Sequence, residues 1–173
     1  DPFFGENEAI ATDVARHDYE YTRDFQVDDA FLSQDRIQLV CEGLDTISDV
    51  RLNGILIART QNMHRTYRFD VKSILKSGTN TISITLYSPI NFVNEKDKLQ
   101  NRTWGTPNGP MNGFQHIRKA HCMFGWDWGP QLPPIGIWKD IRLEGRSEAR
   151  LAEVHLRQNH TDDKVIVEAR IAI

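Results

Sequence analysis

The densest run of chemistry-bearing side chains is Ile117-Arg118-Lys119-Ala120-His121-Cys122-Met123-Phe124-Gly125-Trp126-Asp127-Trp128-Gly129-Pro130. A carboxylate between two indoles, bracketed by glycines and ended by proline, suits a sugar. The apolar C–H face of a sugar ring stacks on an indole much as aromatic groups stack on one another. Its rim of hydroxyls donates to an ionised carboxylate through charge-assisted hydrogen bonds, roughly twice as strong as neutral ones. Glycines on either side let the backbone turn sharply and carry the triplet to a domain edge. On this reading Asp127 accepts hydroxyl protons while the tryptophans wall the site. The competing reading is structural. Tryptophan is highly buried on average, residues 126 and 128 point the same way along a strand, and Arg118 could pair with a buried Asp127. The residues alone leave both readings open.

Composition removes several other chemistries. The formal net charge is −3, and the longest dense basic cluster is Arg118-Lys119 with His121, so no nucleic-acid partner is expected. His64, His116 and His121 form neither HxxxH nor HExxH, so neither a metal nor a cofactor is expected. Cys41 and Cys122 lie in apolar or aromatic surroundings without ligand spacing, which favours two buried free thiols over a disulfide. No run of 18 apolar residues occurs, so no membrane-spanning helix is expected. The opening residues lack the basic and apolar stretches of a secretory signal, although a mature chain would have lost one. The compartment stays open: cytoplasmic or periplasmic in a bacterium, lysosomal or secreted in a eukaryote. N-x-T sequons at Asn101 and Asn159 would matter only in a secreted eukaryotic protein.

The elements that must position the triplet are strands. Tyr19, Tyr21, Arg23, Phe25 and Val27 share one face, with Arg23 breaking the apolar row. Ile37, Leu39 and Cys41 alternate next. Val50 and Leu52 lead into Asn53-Gly54, and Ile55 and Ile57 continue beyond it, the strongest short-range signal for a hairpin. Tyr67, Phe69 and Val71 form another strand, Lys76 to Asn80 a loop, and Ile82, Ile84 and Leu86 a further strand that Ser88-Pro89 ends. Asn91 to Gln100 suits a short helix. Glycine and proline crowd Gly105 to Gly113, with Trp104 just before them, and alternation returns from Ile137 to Leu143. Many short strands with turn signals and no crossover helices define an all-β sandwich or barrel.

Composition breaks at Glu144 to Glu148. Beyond it, Val154 and Leu156, then Val165, Val167, Ala169, Ile171 and Ile173, outline one hairpin with an uncovered apolar face. A lone hairpin is marginal in water. Residues 1–146 therefore read as one domain and 147–173 as the start of a second, truncated one.

Several segments together carry a family resemblance. Arg118 to Pro130 resembles the RKAQ-x-x-F-G-W-D-W-G-P signature of β-mannosidases in glycoside hydrolase family 2. Gly136-Ile137-Trp138-Lys139-Asp140-Ile141 resembles the strand that closes the sugar-binding domain across that family. Gly43-Leu44-Asp45-Thr46 with Val50-Arg51-Leu52-Asn53-Gly54 is similar to its GLDT…V-x-LNG hairpin. Asn62 to Tyr67 resembles NMFRxY, with His64 in place of phenylalanine, and Asp1 to Glu8 resembles DPYYGxNE. The matches run in the family's order from Asp1 to about Arg142.

The resemblance implies a galactose-binding-domain-like jelly roll, followed in the full enzyme by an immunoglobulin-like sandwich and a (β/α)₈ barrel. The two catalytic glutamates of such retaining enzymes belong to the barrel. No stretch here corresponds to it, so none of these glutamates takes a catalytic role. The implied function is a noncatalytic domain of an exo-β-mannosidase acting on a β-mannoside or manno-oligosaccharide, with the barrel of the same polypeptide as its partner. In that setting Asp127 is the hydroxyl acceptor and Trp126 a stacking wall; Arg118 and Trp128 are further candidates for substrate contact, although Trp128 is expected in the core. The rivals are a free-standing lectin-like module and the same domain of a β-galactosidase or β-glucuronidase. Family members also carry a tryptophan-bearing strand and a V-P-G segment ahead of the DPYYG match. A sandwich that begins at that match is expected to lack its first strand and to present unpaired edges through which copies could associate.

Overall fold

In the computed structural model, which describes residues 1–100 and 109–173, strands dominate. Trp104 and the Asn101 sequon lie outside the described residues. The order begins α1 (Asn7–Val14), β1 (Tyr19–Val27), α2 (Asp29–Leu32), β2 (Arg36–Cys41), β3 (Leu44–Asp45), β4 (Ile47–Leu52) and β5 (Ile55–Gln61). It continues with β6 (Tyr67–Asp70), β7 (Gly78–Leu86) and α3 (Pro89–Lys98), then 3₁₀ turns at Phe114–His116 and His121–Phe124. Strands β8 (Gly136–Ile137), β9 (Ile141–Arg146), β10 (Glu153–His160) and β11 (Val165–Ala172) complete it.

One antiparallel sheet runs β1-β7-β4-β5 and a second runs β6-β2-β9, with β3 and β8 paired separately. Ile37, Leu39 and Cys41 of β2 meet Val50 and Leu52 of β4 and Ile84 and Leu86 of β7 in a single buried cluster. Two sheets closed face to face over one core make a sandwich. At the expected hairpin both central residues take positive φ, 51° at Asn53 and 82° at Gly54, as a type I′ turn requires. The Asn53 amide also donates to Ile74 O at 3.0 Å and Asn80 Oδ1 at 2.8 Å, and its Oδ1 accepts from Thr81 N at 3.0 Å. Asn80, fully buried, is itself bonded to the backbone of Lys76 and Gly78. The turn is thus fixed by side-chain bonds as well as by its dihedrals.

The sandwich is open along one side. β1 and β9 each lie at the outer position of their sheet. Between them runs a trough of about 720 Å³, lined by Tyr21, Phe25, Leu39, Ile84, Ile141 and Leu143 among others. Arg23 also borders this trough, which explains how a guanidinium can interrupt the apolar row of β1.

Several elements depart from the sequence reading. The loop assigned to Lys76–Asn80 ends at Ser77, because Gly78 to Asn80 already pair with β1. The alternation from Ile137 to Leu143 is split into β8 and β9 around Trp138 to Asp140. The helix expected at Asn91–Gln100 starts at Pro89, where proline suits the first turn, and Ser88 caps it by accepting from Asn91 N at 3.1 Å. Helix α1 had no counterpart in the reading. It has no buried residue of its own. The carbonyl of Ala15 just beyond it accepts from Ser88 Oγ at 2.7 Å, and that of Arg16 accepts from Asn91 Nδ2 at 2.9 Å. β10 and β11 pair in register from Glu153–Ala172 to His160–Val165, and every residue from Leu151 onward is exposed.

The cysteines also depart from expectation. Cys41 is buried, and burial pushes its thiol up to about 12. Cys122, expected in the interior, is exposed because the 3₁₀ turn that drives Phe124 inward carries Cys122 outward. In the native protein, Ellman's reagent should titrate one thiol quickly and the second only after unfolding. Two fast thiols would show that β2 is not closed over Cys41.

Candidate functional site

The Trp-Asp-Trp loop is an arch with two anchored feet. At the first, the Arg118 carbonyl accepts from Met63 N at 3.0 Å, just beyond the end of β5. Next to it the Lys119 ammonium donates to Asp45 Oδ2, and both residues are buried. The other Asp45 oxygen accepts from the Thr46 hydroxyl. Burial lowers the Lys119 ammonium below the ordinary lysine range, and the Asp45 charge and hydrogen bond oppose that shift. An unpaired charge at such a position would be strongly disfavoured, so this pair holds the foot in one arrangement.

From there the chain climbs through the 3₁₀ turn His121–Phe124. Phe124 is fully buried against Val93 and Ile117, and its carbonyl accepts from Met111 N at 3.0 Å. Gly125 follows at φ +105°, and a Cβ there would lie 2.6 Å from Gln131 Cγ. Only glycine combines that backbone with that approach. Trp126 and Gly129 then exchange backbone bonds, Trp126 N to Gly129 O at 3.2 Å and Gly129 N to Trp126 O at 3.3 Å. The result is a closed four-residue turn with Asp127 and Trp128 at its tip.

Gln131 is the second foot. Its N–H donates to Glu8 Oε1 at 2.7 Å, its carbonyl accepts from Thr12 Oγ1 at 2.9 Å, and its side chain donates to Gly109 O at 3.1 Å. Helix α1 thus straps the arch from below. Between the strap and the turn lies an open recess of about 390 Å³, bordered by Pro2, Phe3, Glu8, Asp127, Trp128 and Pro130 among others.

Three sequence expectations change here. The two tryptophans do not share a strand face, because the triplet forms the closed turn. Trp128, expected in the core, is 85 % exposed, and Trp126 is 54 % exposed. Arg118 is exposed and, among the described residues, no ion pair joins it to Asp127. The buried carboxylate–cation pair of this region is Asp45 with Lys119, which the sequence reading did not identify. Both residues lie in segments that carried the family resemblance, but their sequence neighbours, Arg118 and His121 on one side and Thr46 on the other, give no local sign of a buried pair.

A sandwich of this topology, with an aromatic and acidic loop raised at its edge, is the architecture of the sugar-binding-type domains of family 2 glycosyl hydrolases. The family model described as glycosyl hydrolase 2 galactose-binding domain-like matches residues 1–139, and the chain belongs to that family. It is similar to the β-mannosidases of Capra hircus, 36 % identical over 83 % of this chain and 17 % of that protein, and of Emericella nidulans (β-mannosidase B), 34 % identical over 99 % and 21 %. The crystal structure of the β-D-mannosidase of Dictyoglomus thermophilum superposes with a TM-score of 0.92 at 36 % identity, covering 99 % of this chain and 21 % of that one. The exo-chitosanase of Amycolatopsis orientalis, at TM-score 0.63 and 20 % identity, shares the fold. The chain spans about a fifth of the length of the relatives it matches.

Proposed function

We propose that this chain is the noncatalytic N-terminal domain of an exo-acting, retaining β-mannosidase and helps to shape the site for the nonreducing mannosyl unit. The observation that carries this reading is the closed Trp126–Gly129 turn, which raises a carboxylate and two indoles together into solvent at one edge of the sandwich. Among the described residues no hydrogen bond or ion pair engages the Asp127 side chain, whereas sugar hydroxyls would use it. Asp127 accepts those hydroxyls and Trp126 forms the stacking or shaping wall. Arg118 and Trp128, both exposed, are the further candidates for substrate contact. The substrate is a β-mannoside or manno-oligosaccharide, and the partner is a catalytic barrel of the same polypeptide.

The C-terminal hairpin fits the same reading. Val154, Leu156, Val165, Val167 and Ile171 are exposed, and a hairpin with such a face needs further strands to cover it. Residues 147–173 are accordingly the opening of a second, immunoglobulin-like sandwich. The apolar floor of the trough between β1 and β9 suits one more strand, supplied by the polypeptide or by a second copy.

Glycoside hydrolysis requires two carboxyl groups flanking the scissile bond, and this reading assigns both to the barrel. The purified 173-residue chain should therefore release no nitrophenol from an aryl β-mannoside above a heat-killed control, while the full polypeptide should. Turnover by the purified chain would overturn the proposal.

A further inference from the structure

The exposure of Trp128 and the strap beneath it expose a second feature of this edge. Trp128 does not stand alone. It borders the same recess as Phe3, which is 71 % exposed and lies just ahead of α1, the helix whose Glu8 and Thr12 are bonded to Gln131. Two large aromatic side chains left in water across one recess are unusual for a domain surface. The recess also takes in two carboxylate side chains, Glu8 from the strap and Asp127 from the turn. Glu8 is held in place there by its bond from Gln131 N at 2.7 Å. Aromatic faces and acidic acceptors around an open cavity are the chemistry that takes a sugar ring. The volume of about 390 Å³ falls at the lower end of the range of roughly 300–1,000 Å³ for small-ligand sites, which suits a ring better than a chain. Trp126 does not border this recess, whereas Asp127 does. The turn therefore has two sides, with Asp127 at their boundary.

We infer that the recess between Phe3 and Trp128 is a second sugar subsite, which takes the ring on the leaving-group side of the scissile bond in a β-linked manno-oligosaccharide. This rests on the reading of Asp127 as a contact of the nonreducing mannosyl unit and extends it across the turn. Phe3 and Trp128 supply stacking faces, and Glu8 and Asp127 accept hydroxyl protons. The residues leading into the strap thereby acquire a binding role through Phe3, and Glu8 serves in both.

The test is a ratio measured on the full polypeptide: kcat/KM for mannobiose divided by kcat/KM for β-mannosyl fluoride, whose leaving group has no ring to place. Phe3→Ala should lower that ratio about tenfold, as loss of an aromatic stack would. Phe3→Tyr, which keeps the π face, should preserve it, and Phe3→Leu, which keeps only bulk, should not. Because Phe3 is mostly in solvent, Phe3→Ala should melt with the parent; a ratio that stays at the parental value in Phe3→Ala and Phe3→Leu would overturn the inference, whether or not both rates fall together. Asp127→Ala separates the two claims. If it spares both substrates, the underlying reading fails, whereas if it slows both while the Phe3 ratio holds, only the second subsite fails.

Discussion

Replacing Lys119 with methionine is expected to destabilise the chain by about 3–5 kcal/mol, the usual consequence of leaving one partner of a buried ion pair uncompensated. Methionine keeps most of the length and apolar volume of the lysine stem, so the loss reports the charge and not a cavity. Asp45 would remain buried, still accepting from the Thr46 hydroxyl but without its cation. In urea the midpoint should fall with the slope unchanged, and the melting temperature should drop by on the order of 10 °C. Changing Asp45→Asn in the same background removes the orphaned charge and should recover on the order of 2 kcal/mol, a coupling that only contacting residues show. A loss below about 1 kcal/mol for Lys119→Met would match an exposed pair and would mean that the first foot of the arch is open to water.

What could be read in the sequence divides along a physical line. Strands such as β2, β7 and the Asn53-Gly54 hairpin were legible because alternation and positive-φ turn residues are local signals. Helix α1 was not, since it buries no residue and so carries no apolar stripe to read. It is held by Glu8 and Thr12 through bonds to a residue about 120 positions away. Lys119 and Asp45 are 74 residues apart, and nothing local in either segment points to the other. The triplet itself was found from residue type and spacing, but its geometry was not. A strand and a closed turn place the same two tryptophans very differently, and the tendency of tryptophan to be buried pointed Trp128 the wrong way. The resemblance to family 2 enzymes marked both ends of the buried pair and both segments around the recess without saying that they meet.

The kinetic consequence of the site is expected to fall on Asp127. If its carboxylate accepts sugar hydroxyls, Asp127→Ala removes charge-assisted bonds that contribute about 1.5–3 kcal/mol, and kcat/KM of the full polypeptide should fall roughly tenfold or more. The domain itself should be indifferent. Asp127 is exposed at the tip of a turn closed by the backbone of Trp126 and Gly129, and among the described residues no hydrogen bond or ion pair engages its side chain. Lys119→Met and Asp127→Ala are therefore opposites: the first acts on the stability of the scaffold, the second on the chemistry it presents. The decisive measurement is kcat/KM on an aryl β-mannoside together with the melting temperature, for Asp127→Ala in the full polypeptide. A loss of about tenfold or more with melting unchanged is expected; activity retained alongside a large drop in melting temperature would make Asp127 a structural residue and rule out its role as a sugar contact.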